Sequence, residues 1–334
     1  MISTAAISPP NSELAVKKET MHVPVMVSEV LDGLSLRSGG IYVDATLGLG
    51  GHTEAILSRC PEVRMVIGLD YDTEAMEKAK SRLAPFSDRL RFIRSNFIHL
   101  HDVLLYNRIE QVDGILMDLG ISSFHLENSG RGFSFFRDEP LDMRMDPSGA
   151  LTAADIVNKF PVERLTDLIQ TYGEERWAKR IAKRIYERRK IEMILSSTDL
   201  AEVIASSIPR KYHPRRIHPA TRTFQALRIT VNRELENLKE ALDSFPSCLR
   251  SGGRVCIISF HSMEDRLVKI AFREDERLKS LTKKPLVPSL EEIHGNPRAR
   301  SAKLRIAQYI GGPTLRGQDY YNDCNPKGPK CDSA

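Results

Sequence analysis

The residues best suited to chemistry are a glycine-rich turn and the aspartates around it. The turn is the segment 44–52, which reads Asp-Ala-Thr-Leu-Gly-Leu-Gly-Gly-His and follows a short apolar run. Glycines allow a backbone to turn tightly and to approach a ligand closely. Asp70 and Asp118 each end a later apolar run. A carboxylate in such a place, Asp70 above all, can accept hydrogen bonds from the ribose hydroxyls of a nucleotide cofactor.

The spacing of the glycines argues against a dinucleotide cofactor. After Gly48 and Gly50, the dinucleotide fingerprint G-x-G-x-x-G needs a third glycine where this chain has Thr53. S-adenosylmethionine has no pyrophosphate to hold, so a site for it does not need this glycine. The alternative is a purely structural turn, with Asp70 as the cap of the helix that follows.

Strand-like and helix-like segments alternate through the first half of the chain. The predicted strands there are the apolar runs at 41–44, 64–70, 90–94 and 112–118. Their alternation with helices predicts an α/β fold with a mostly parallel sheet that is covered on both faces. Ligands of such sheets bind beyond the carboxyl ends of the strands, where Asp44, Asp70 and Asp118 fall.

The middle of the chain has a different pattern. No strand-like run occurs from about Glu127 to Pro219, and strands resume at 253–259 and 303–310. The predicted helices of this middle region are 163–172, 174–190 and 199–208. The predicted divisions are a disordered N-terminal extension (1–21), a discontinuous α/β domain (22–126 and 220–312), an inserted helical substrate-recognition domain (127–219) and a disordered tail (313–334).

Composition narrows the class of protein. The chain has 334 residues, 41% of them hydrophobic and 28% charged, as expected of a soluble globular protein. No apolar run approaches the roughly 20 residues that a membrane helix needs. The five cysteines are scattered without a C-x-x-C pair, which indicates free thiols in a reducing cytoplasm. No cluster of His, Cys and Asp has metal-ligand spacing, so we expect no metal.

The net charge of +5 permits a nucleic-acid partner without requiring one, so the placement of the charge matters. Lys179, Arg180, Lys183 and Arg184 lie on one predicted helix of the inserted region. A second basic segment, 210–216, lies in the same region. Clustered cations of one sign can bind the phosphates of RNA, although such a run is also typical of a solvated helix face.

Many short sequence motifs, here called words, occur in the chain in the same order as in one known protein family. Among them are HVPVM (22–26), DLGISS (118–123), RGFSF (131–135), PLDMRMD (140–146), HPATRTFQA (218–226) and NPRARS (296–301). By these words the chain resembles the bacterial ribosomal RNA small-subunit methyltransferase H family, the cytosine-N4 methyltransferases of 16S ribosomal RNA. The resemblance implies a class I (Rossmann-like) methyltransferase fold with an inserted helical substrate domain.

The resemblance also implies the cofactor, S-adenosylmethionine, and the residues that contact it. These residues are Gly50, Gly51, His52, Asp70, Phe97, Asp118 and His125. At the last position the chain departs from the family, which has Pro-Gln where this sequence has Phe124-His125. Whether His125 takes over the contact is therefore open.

The reaction implied is methyl transfer to the exocyclic N4 of a cytidine in the decoding region of 16S ribosomal RNA, within the small ribosomal subunit. Asp118 is the candidate catalytic residue, since an acceptor that holds an N–H can turn the amine lone pair toward the methyl group. Candidates for holding the base are Ser259, His261 and Ser262, which follow a strand.

Two alternatives to this reaction remain. One is methylation of a protein or a small molecule, against which the basic insertion argues. The other is a non-catalytic RNA-binding or ribosome-assembly factor on a methyltransferase fold. We expect a cytoplasmic protein with no membrane contact, and the sequence is compatible with a homodimer.

Overall fold

The computed structural model describes residues 24–121, 126, 129–214 and 217–311. Within them, a sheet of seven strands has the order β3-β2-β1-β4-β5-β7-β6. The strands are β1 (Ile41–Asp44), β2 (Met65–Asp70), β3 (Leu90–Arg94), β4 (Val112–Asp118), β5 (Leu249–Ser259), β6 (Leu278–Ser280) and β7 (Lys303–Tyr309). Neighbours from β3 to β5 pair in parallel, and β7 runs antiparallel to both β5 and β6.

The strand order reverses between β1 and β4, and this reversal decides where a ligand can bind. From β1 the chain builds the sheet outward through β2 and β3, and then returns to place β4 on the other side of β1. The helices that follow the two strands leave on opposite sides, so a crevice opens at their carboxyl ends. β4 is buried along almost its whole length, as expected of a central parallel strand with both faces covered.

Helices cover the sheet and form a separate bundle beside it. In the described residues the α-helices are α1 (Val27–Leu34), α2 (Gly51–Arg59), α3 (Thr73–Arg82), α4 (Leu100–Tyr106), α5 (Ala153–Lys159), α6 (Val162–Gly173), α7 (Ala178–Arg189), α8 (Ser197–Ser207), α9 (Thr221–Asn232), α10 (Glu234–Cys248), α11 (Ser262–Glu274) and α12 (Leu290–Gly295). One apolar cluster joins the sheet to α1, α2 and α3, and a second joins it to α4, α10 and α11.

A third apolar cluster belongs to the inserted helices α5 to α9. Phe224 and Leu227 of α9 lie in this cluster rather than against the sheet. Gly173, at the end of α6, permits the close approach of α9, because a Cβ there would lie 2.7 Å from the carbonyl oxygen of Arg222. The domain divisions remain a prediction. The packing of α9 leads us to propose that the insertion ends near Asn232 rather than at Pro219.

Three details differ from the sequence expectation. The helix predicted over 174–190 begins only at Ala178, because Glu174 has a left-handed backbone conformation (φ 46°) that separates α6 from α7. β5 starts at Leu249, four residues before the predicted run. β6 was not predicted, since its three residues are too few to show a strand period. Among the described residues, no helix combines the length and apolar character needed to cross a membrane.

Candidate active site at the carboxyl edge of the sheet

A cavity of about 560 Å³ opens at the carboxyl ends of β1, β2, β4 and β5, next to the reversal of strand order. Its volume lies in the range of small-molecule sites. The start of α10 and the segment 295–298 complete the described lining. The predicted cofactor residues that the structure brings to this lining are Gly51, His52, Asp70, Phe97 and Asp118.

The carboxylate of Asp70 is held in place by backbone donors. The N–H of Gly48 donates to Oδ2 at 2.8 Å, and the N–H of Asp72 donates to Oδ1 at 2.9 Å. Gly48 has φ 51°, a conformation that glycine adopts without steric cost. Because a carboxylate can accept about four hydrogen bonds, these two bonds orient Asp70 and still allow it to bind a diol.

Gly50 and Gly51 have different roles, although both were predicted to contact the cofactor. Gly51 lines the cavity, where a Cβ would lie 3.0 Å from Pro24. Gly50 is absent from the described lining. It has φ 78°, and a Cβ added to it would lie 2.6 Å from the side chain of Leu83, so Gly50 serves the turn and the packing of α3. The cofactor contact predicted for Gly50 stays a prediction.

Asp118, at the end of β4, has one carboxylate oxygen without a described partner. Its N–H donates to Oγ1 of Thr46 at 2.6 Å, and Oδ2 lies 3.7 Å from Nδ1 of His52. The other oxygen, Oδ1, is buried and accepts no hydrogen bond from any described residue. Burial raises the pKa of Asp118 to about 6, with His52 opposing the rise and Asp44 and Glu264 adding to it.

His52 lines the cavity next to Asp118, and Asp44 is buried near both of them. Nε2 of His52 lies 2.8 Å from the carbonyl oxygen of Val25, so Nε2 must carry the hydrogen in that bond. In the neutral ring this leaves Nδ1 as an acceptor that faces Asp118. The fully buried Asp44 accepts a hydrogen bond from Oγ1 of Thr53 at 2.8 Å, and burial raises its pKa. Asp118 at the cavity and the buried Asp44 are thus two carboxyl groups that are hard to ionise together.

The opposite wall of the cavity is polar and comes from α10 and α11. Both oxygens of Glu234 accept hydrogen bonds from Arg228, at 2.8 and 2.9 Å. Oε2 of Glu264 accepts one from the N–H of Phe260 at 2.8 Å. Burial alone would raise the pKa of Glu264, but this bond and the contact with His261 hold it below its usual value.

Glu234, Glu264 and His261 bring metal-ligating atoms within 4.8 Å of one another. The bidentate ion pair with Arg228 already uses Glu234, and a second cation beside that guanidinium is electrostatically unfavourable. Nδ1 of His261 lies 3.4 Å from the N–H of Glu264, so in the neutral ring Nε2 carries the hydrogen and cannot ligate a metal. These contacts favour an ion-pair cluster, and the absence of a metal remains a prediction.

The three residues predicted to hold the base do not belong to the described lining. Ser259 is buried and its hydroxyl donates to the carbonyl of Lys303 at 3.3 Å. His261 caps α11, and the hydroxyl of Ser262 donates to Oε2 of Glu174 at 2.7 Å. Phe260, which lies between them, does line the cavity. Since side chains alternate along an extended segment, the residue facing the cavity is flanked by residues that face elsewhere.

Contacts from the inserted domain support the loop that carries Asp70. Arg131 donates to Oδ2 of Asp72 at 2.5 Å and to the carbonyl of Met145 at 2.9 Å. The hydroxyl of Tyr71 lies 2.7 Å from the sulfur of Met145. Arg131 and Asp72 have side chains that are only 13% and 3% exposed, so this ion pair is shielded from water. The cofactor loop and the insertion are thereby joined.

The predicted basic residues lie away from the cavity. Lys179, Arg180, Lys183 and Arg184 are exposed on α7. Lys183 and Arg184 lie 3.9 and 3.8 Å from Glu187, distances that leave only weak ion pairs. These four side chains form a positively charged surface of the insertion.

Several lining residues were not identified from the sequence. Asn232, Glu234 and Asn237 come from the junction of α9 and α10, and Asn296 and Arg298 from the word NPRARS. That word was noted as part of the resemblance, but nothing in it indicates a position on the cavity. His125 lies outside the described residues, so its predicted contact stays a prediction.

The order of the strands, the reversed β7, and an acidic residue at the end of β2 beside the cavity define a class I methyltransferase. The predicted α/β fold is confirmed by the mostly parallel sheet with helices on both faces.

The comparison with known sequences is more specific. The sequence model of the MraW methylase family matches residues 19–310, and the chain belongs to this family. The ribosomal RNA small subunit methyltransferase H of Carboxydothermus hydrogenoformans is 49% identical over 310 residues, which cover 87% of this chain and 99% of that protein. The protein of the same name from Trichormus variabilis is 50% identical over 296 residues, 88% of this chain and 94% of that one. The family predicted from the sequence is confirmed, and the chain is a methyltransferase.

The comparison with solved structures includes an rRNA methylase from Streptococcus thermophilus. It has 12% sequence identity and a TM-score of 0.42, and the match covers 85% of this chain and 95% of that one.

Proposed function

We propose that the protein transfers a methyl group from S-adenosylmethionine to the exocyclic N4 of a cytidine in 16S ribosomal RNA. The observation that carries this proposal is Oδ1 of Asp118, a buried acceptor beside the cavity that has no described partner. A buried polar atom without a partner costs about 1–3 kcal/mol. An N–H group of a bound ligand would satisfy it, and an exocyclic amine offers such a group.

The residues at the ends of β1 and β2 fit the donor. Asp70 is oriented to accept hydrogen bonds from ribose hydroxyls, and Phe97 offers an apolar ring at the cavity wall. Gly51 leaves the start of α2 open to a close approach. When bound, S-adenosylmethionine supplies a methyl group on a positively charged sulfur that is a good leaving group. Asp118 places negative charge on that side of the cavity once it ionises.

Asp118 is suited to organise the amine. The nitrogen lone pair of a cytosine amine is delocalised into the ring, so the amine is a poor nucleophile. An ionised Asp118 that accepts an N–H can rotate the amine and direct its lone pair toward the methyl group. The same carboxylate can hold the proton that the nitrogen loses after transfer. Positioning of the two reactants supplies the rest of the rate enhancement.

Two observations support ribosomal RNA as the substrate. Several relatives share about 50% sequence identity with this chain and align with it over nearly their whole length. They bear the name ribosomal RNA small subunit methyltransferase H. The exposed cations of α7 form a surface that can bind phosphates. We expect the substrate to be RNA within the small ribosomal subunit, and hence a cytoplasmic location. The homodimer remains a prediction.

The test is methylation of small ribosomal subunits from cells that lack this protein. The purified chain and labelled S-adenosylmethionine should produce N4-methylated cytidine at one position, measured by mass spectrometry of nuclease digests. Asp118→Asn, which keeps the size of the side chain but removes its charge, is the matched control and should give little product. Label on another atom of cytidine would overturn the assigned position. Donor binding without any turnover would favour the non-catalytic RNA-binding alternative.

A further inference from the structure

An aromatic pair lies at the beginning of α7, in the inserted domain. Trp177 directly precedes the helix, and Tyr212 ends the short helical turn at 210–212. Their ring centroids are 5.3 Å apart and the rings are tilted by 41°. The guanidinium carbon of Arg176 lies 5.5 Å from the centre of the Trp177 ring and 5.4 Å from that of Tyr212. Nζ of Lys211 lies 4.9 Å from the centre of the Tyr212 ring.

The two rings have different exposure. Trp177 is half-buried and packs against the apolar cluster of the insertion, which fixes the pair in place. Tyr212 is 42% exposed, so part of its ring remains accessible to a ligand. We call Arg176, Trp177, Lys211 and Tyr212 the Tyr212 platform.

Exposed cations belong to the Tyr212 platform or lie next to it in the chain. Arg176, Lys179, Arg180, Arg210 and Lys211 are all exposed. None of them forms an ion pair with any residue in the described part of the chain. A purely structural cation–π cluster would not need three further exposed cations, Lys179, Arg180 and Arg210, within three residues of its aromatic pair in the chain. The combination of an exposed ring and unneutralised positive charge therefore points to an external ligand with both an aromatic face and negative charge.

The platform also lies close in the chain to a contact at the cavity. Glu174, two residues before Arg176, accepts a hydrogen bond from Ser262 at the start of α11. Ser262 follows Phe260, which lines the cavity, by two residues. The segment that carries Arg176 and Trp177 is thereby hydrogen-bonded to the segment that follows the cavity residue Phe260.

We propose that the Tyr212 platform stacks an unpaired nucleobase of the RNA substrate while the neighbouring cations bind its phosphates. This inference rests on the proposed function for the identity of the RNA. Single strands expose the faces of their bases to aromatic side chains, whereas a duplex hides those faces within its own stack. An acidic protein could neutralise the cations but would leave the Tyr212 ring without a stacking partner.

The test compares three probes that share phosphates but differ in their bases. They are a short oligoadenylate, a strand of equal length in which the bases are replaced by abasic sites, and an RNA duplex. Trp177 is the only tryptophan in the sequence, so its fluorescence reports on the platform without labelling. We expect the full chain to bind oligoadenylate about 5-fold or more tightly than the abasic strand. Binding of oligoadenylate should quench the fluorescence of Trp177, whereas the abasic strand and the duplex should quench it much less.

Substitutions of Tyr212 separate stacking from charge. Tyr212→Ala should lose the preference for oligoadenylate and bind the abasic strand as the unmodified chain does. Tyr212→Phe keeps the ring and should keep the preference, which also controls for folding. Arg180→Gln should weaken both strands alike and reduce the salt dependence, because it removes a phosphate contact. The proposal is overturned if Tyr212→Ala retains the preference, if Tyr212→Phe loses it, or if the duplex quenches Trp177 as strongly as the single strand does.

Methyl transfer to small ribosomal subunits, measured in parallel, distinguishes this inference from the proposed function. Base-dependent quenching of Trp177 fluorescence without any methyl transfer would reject the proposed methylation but would still support base stacking on the Tyr212 platform. Methyl transfer to N4 of cytidine without base-dependent binding would reject the platform alone.

Discussion

The carboxyl edge of the sheet and the outer surface of the insertion hold their polar groups in opposite ways. At the sheet edge, Asp70 is fixed by two backbone N–H groups, and Asp118 is buried beside His52. On α7, Lys179 and Arg180 extend into solvent without an ion-pair partner in the described chain. The first arrangement is organised before a ligand arrives, and the second becomes ordered only against a ligand.

This difference predicts how ligand binding in each region responds to ligand geometry and to salt concentration. Groups that are oriented and shielded from water should discriminate a small ligand by geometry, and salt should affect them little. Exposed cations should bind a polyanion with an affinity that falls steeply as salt rises. The ion pair between Arg131 and Asp72 joins the loop that carries Asp70 to the inserted domain.

The largest expected effect is on the rate at the sheet edge. Asp118→Ala removes the acceptor for the amine and should lower kcat by about 100-fold or more, as expected for a group that organises proton transfer. RNA affinity should stay within about 2-fold, since the cations of α7 are untouched. Single-turnover methylation of small ribosomal subunits measures the rate. A variant with unchanged kcat would remove Asp118 from the chemistry.

The next effect is on RNA binding by the insertion. Replacing Lys179, Arg180, Lys183 and Arg184 together by Glu should weaken binding by about 100-fold at low salt and flatten the salt dependence. Donor affinity, measured by calorimetry, should not change. Reversal of Lys78 and Lys80 on α3, compared with reversal of Lys183 and Arg184 alone, controls for net charge because each pair changes it equally. An unaltered salt slope in the α7 variant would mean that this surface is merely solvated.

The loss of Asp70 should weaken binding of the methyl donor without changing RNA binding. Asp70→Ala removes the acceptor for the ribose hydroxyls and should weaken S-adenosylmethionine binding by about 1.5–3 kcal/mol, roughly 10- to 150-fold in Kd. RNA affinity and its salt slope should be unchanged. Calorimetry with each ligand checks both expectations. Equal losses for the donor and for RNA would indicate that the loop has unfolded.

The smallest effect is a dependence of donor affinity on pH. The pKa of Asp118 is raised from 3.8 to about 6, so below pH 6 the carboxyl group is neutral and no longer attracts a cationic donor. A donor that favours the ionised form should therefore bind more weakly as pH falls, by up to about 10-fold one unit below the pKa. Asp118→Asn should remove this dependence. His52, Asp44 and Glu264 face the same carboxyl group, so a dependence that persists in Asp118→Asn would assign the titration to one of them.

The sequence alone identified the fold and the family. The apolar runs at β1, β2 and β4 are separated by helix-like segments long enough for crossover connections, which favours a parallel sheet. Acidic residues at the ends of β2 and β4 lie at the carboxyl edge in any register, because that position follows from chain direction. The prediction of Asp70 and Asp118 at one cavity therefore needed no tertiary information.

The tertiary structure decided which neighbours of these residues reach the cavity. Gly50 and Gly51 are adjacent in the sequence, but only Gly51 lines it, because the turn presses Gly50 against Leu83. Ser259 and Ser262 find partners in Lys303 and Glu174 instead. A local pattern cannot foresee such contacts, since each partner is distant in the sequence.

Tertiary packing also determined the pKa of Asp118 and the contact between Trp177 and Tyr212. The raised pKa of Asp118 depends on burial together with His52, Asp44 and Glu264, which come from three other elements. The contact between Trp177 and Tyr212 exists because α7 and α8 share one apolar core. Through its local periodicity, the sequence determines which segments form helices and strands and in what order these elements follow one another along the chain. Burial and charge at a site are sums over distant segments, and only the packed chain brings those segments together.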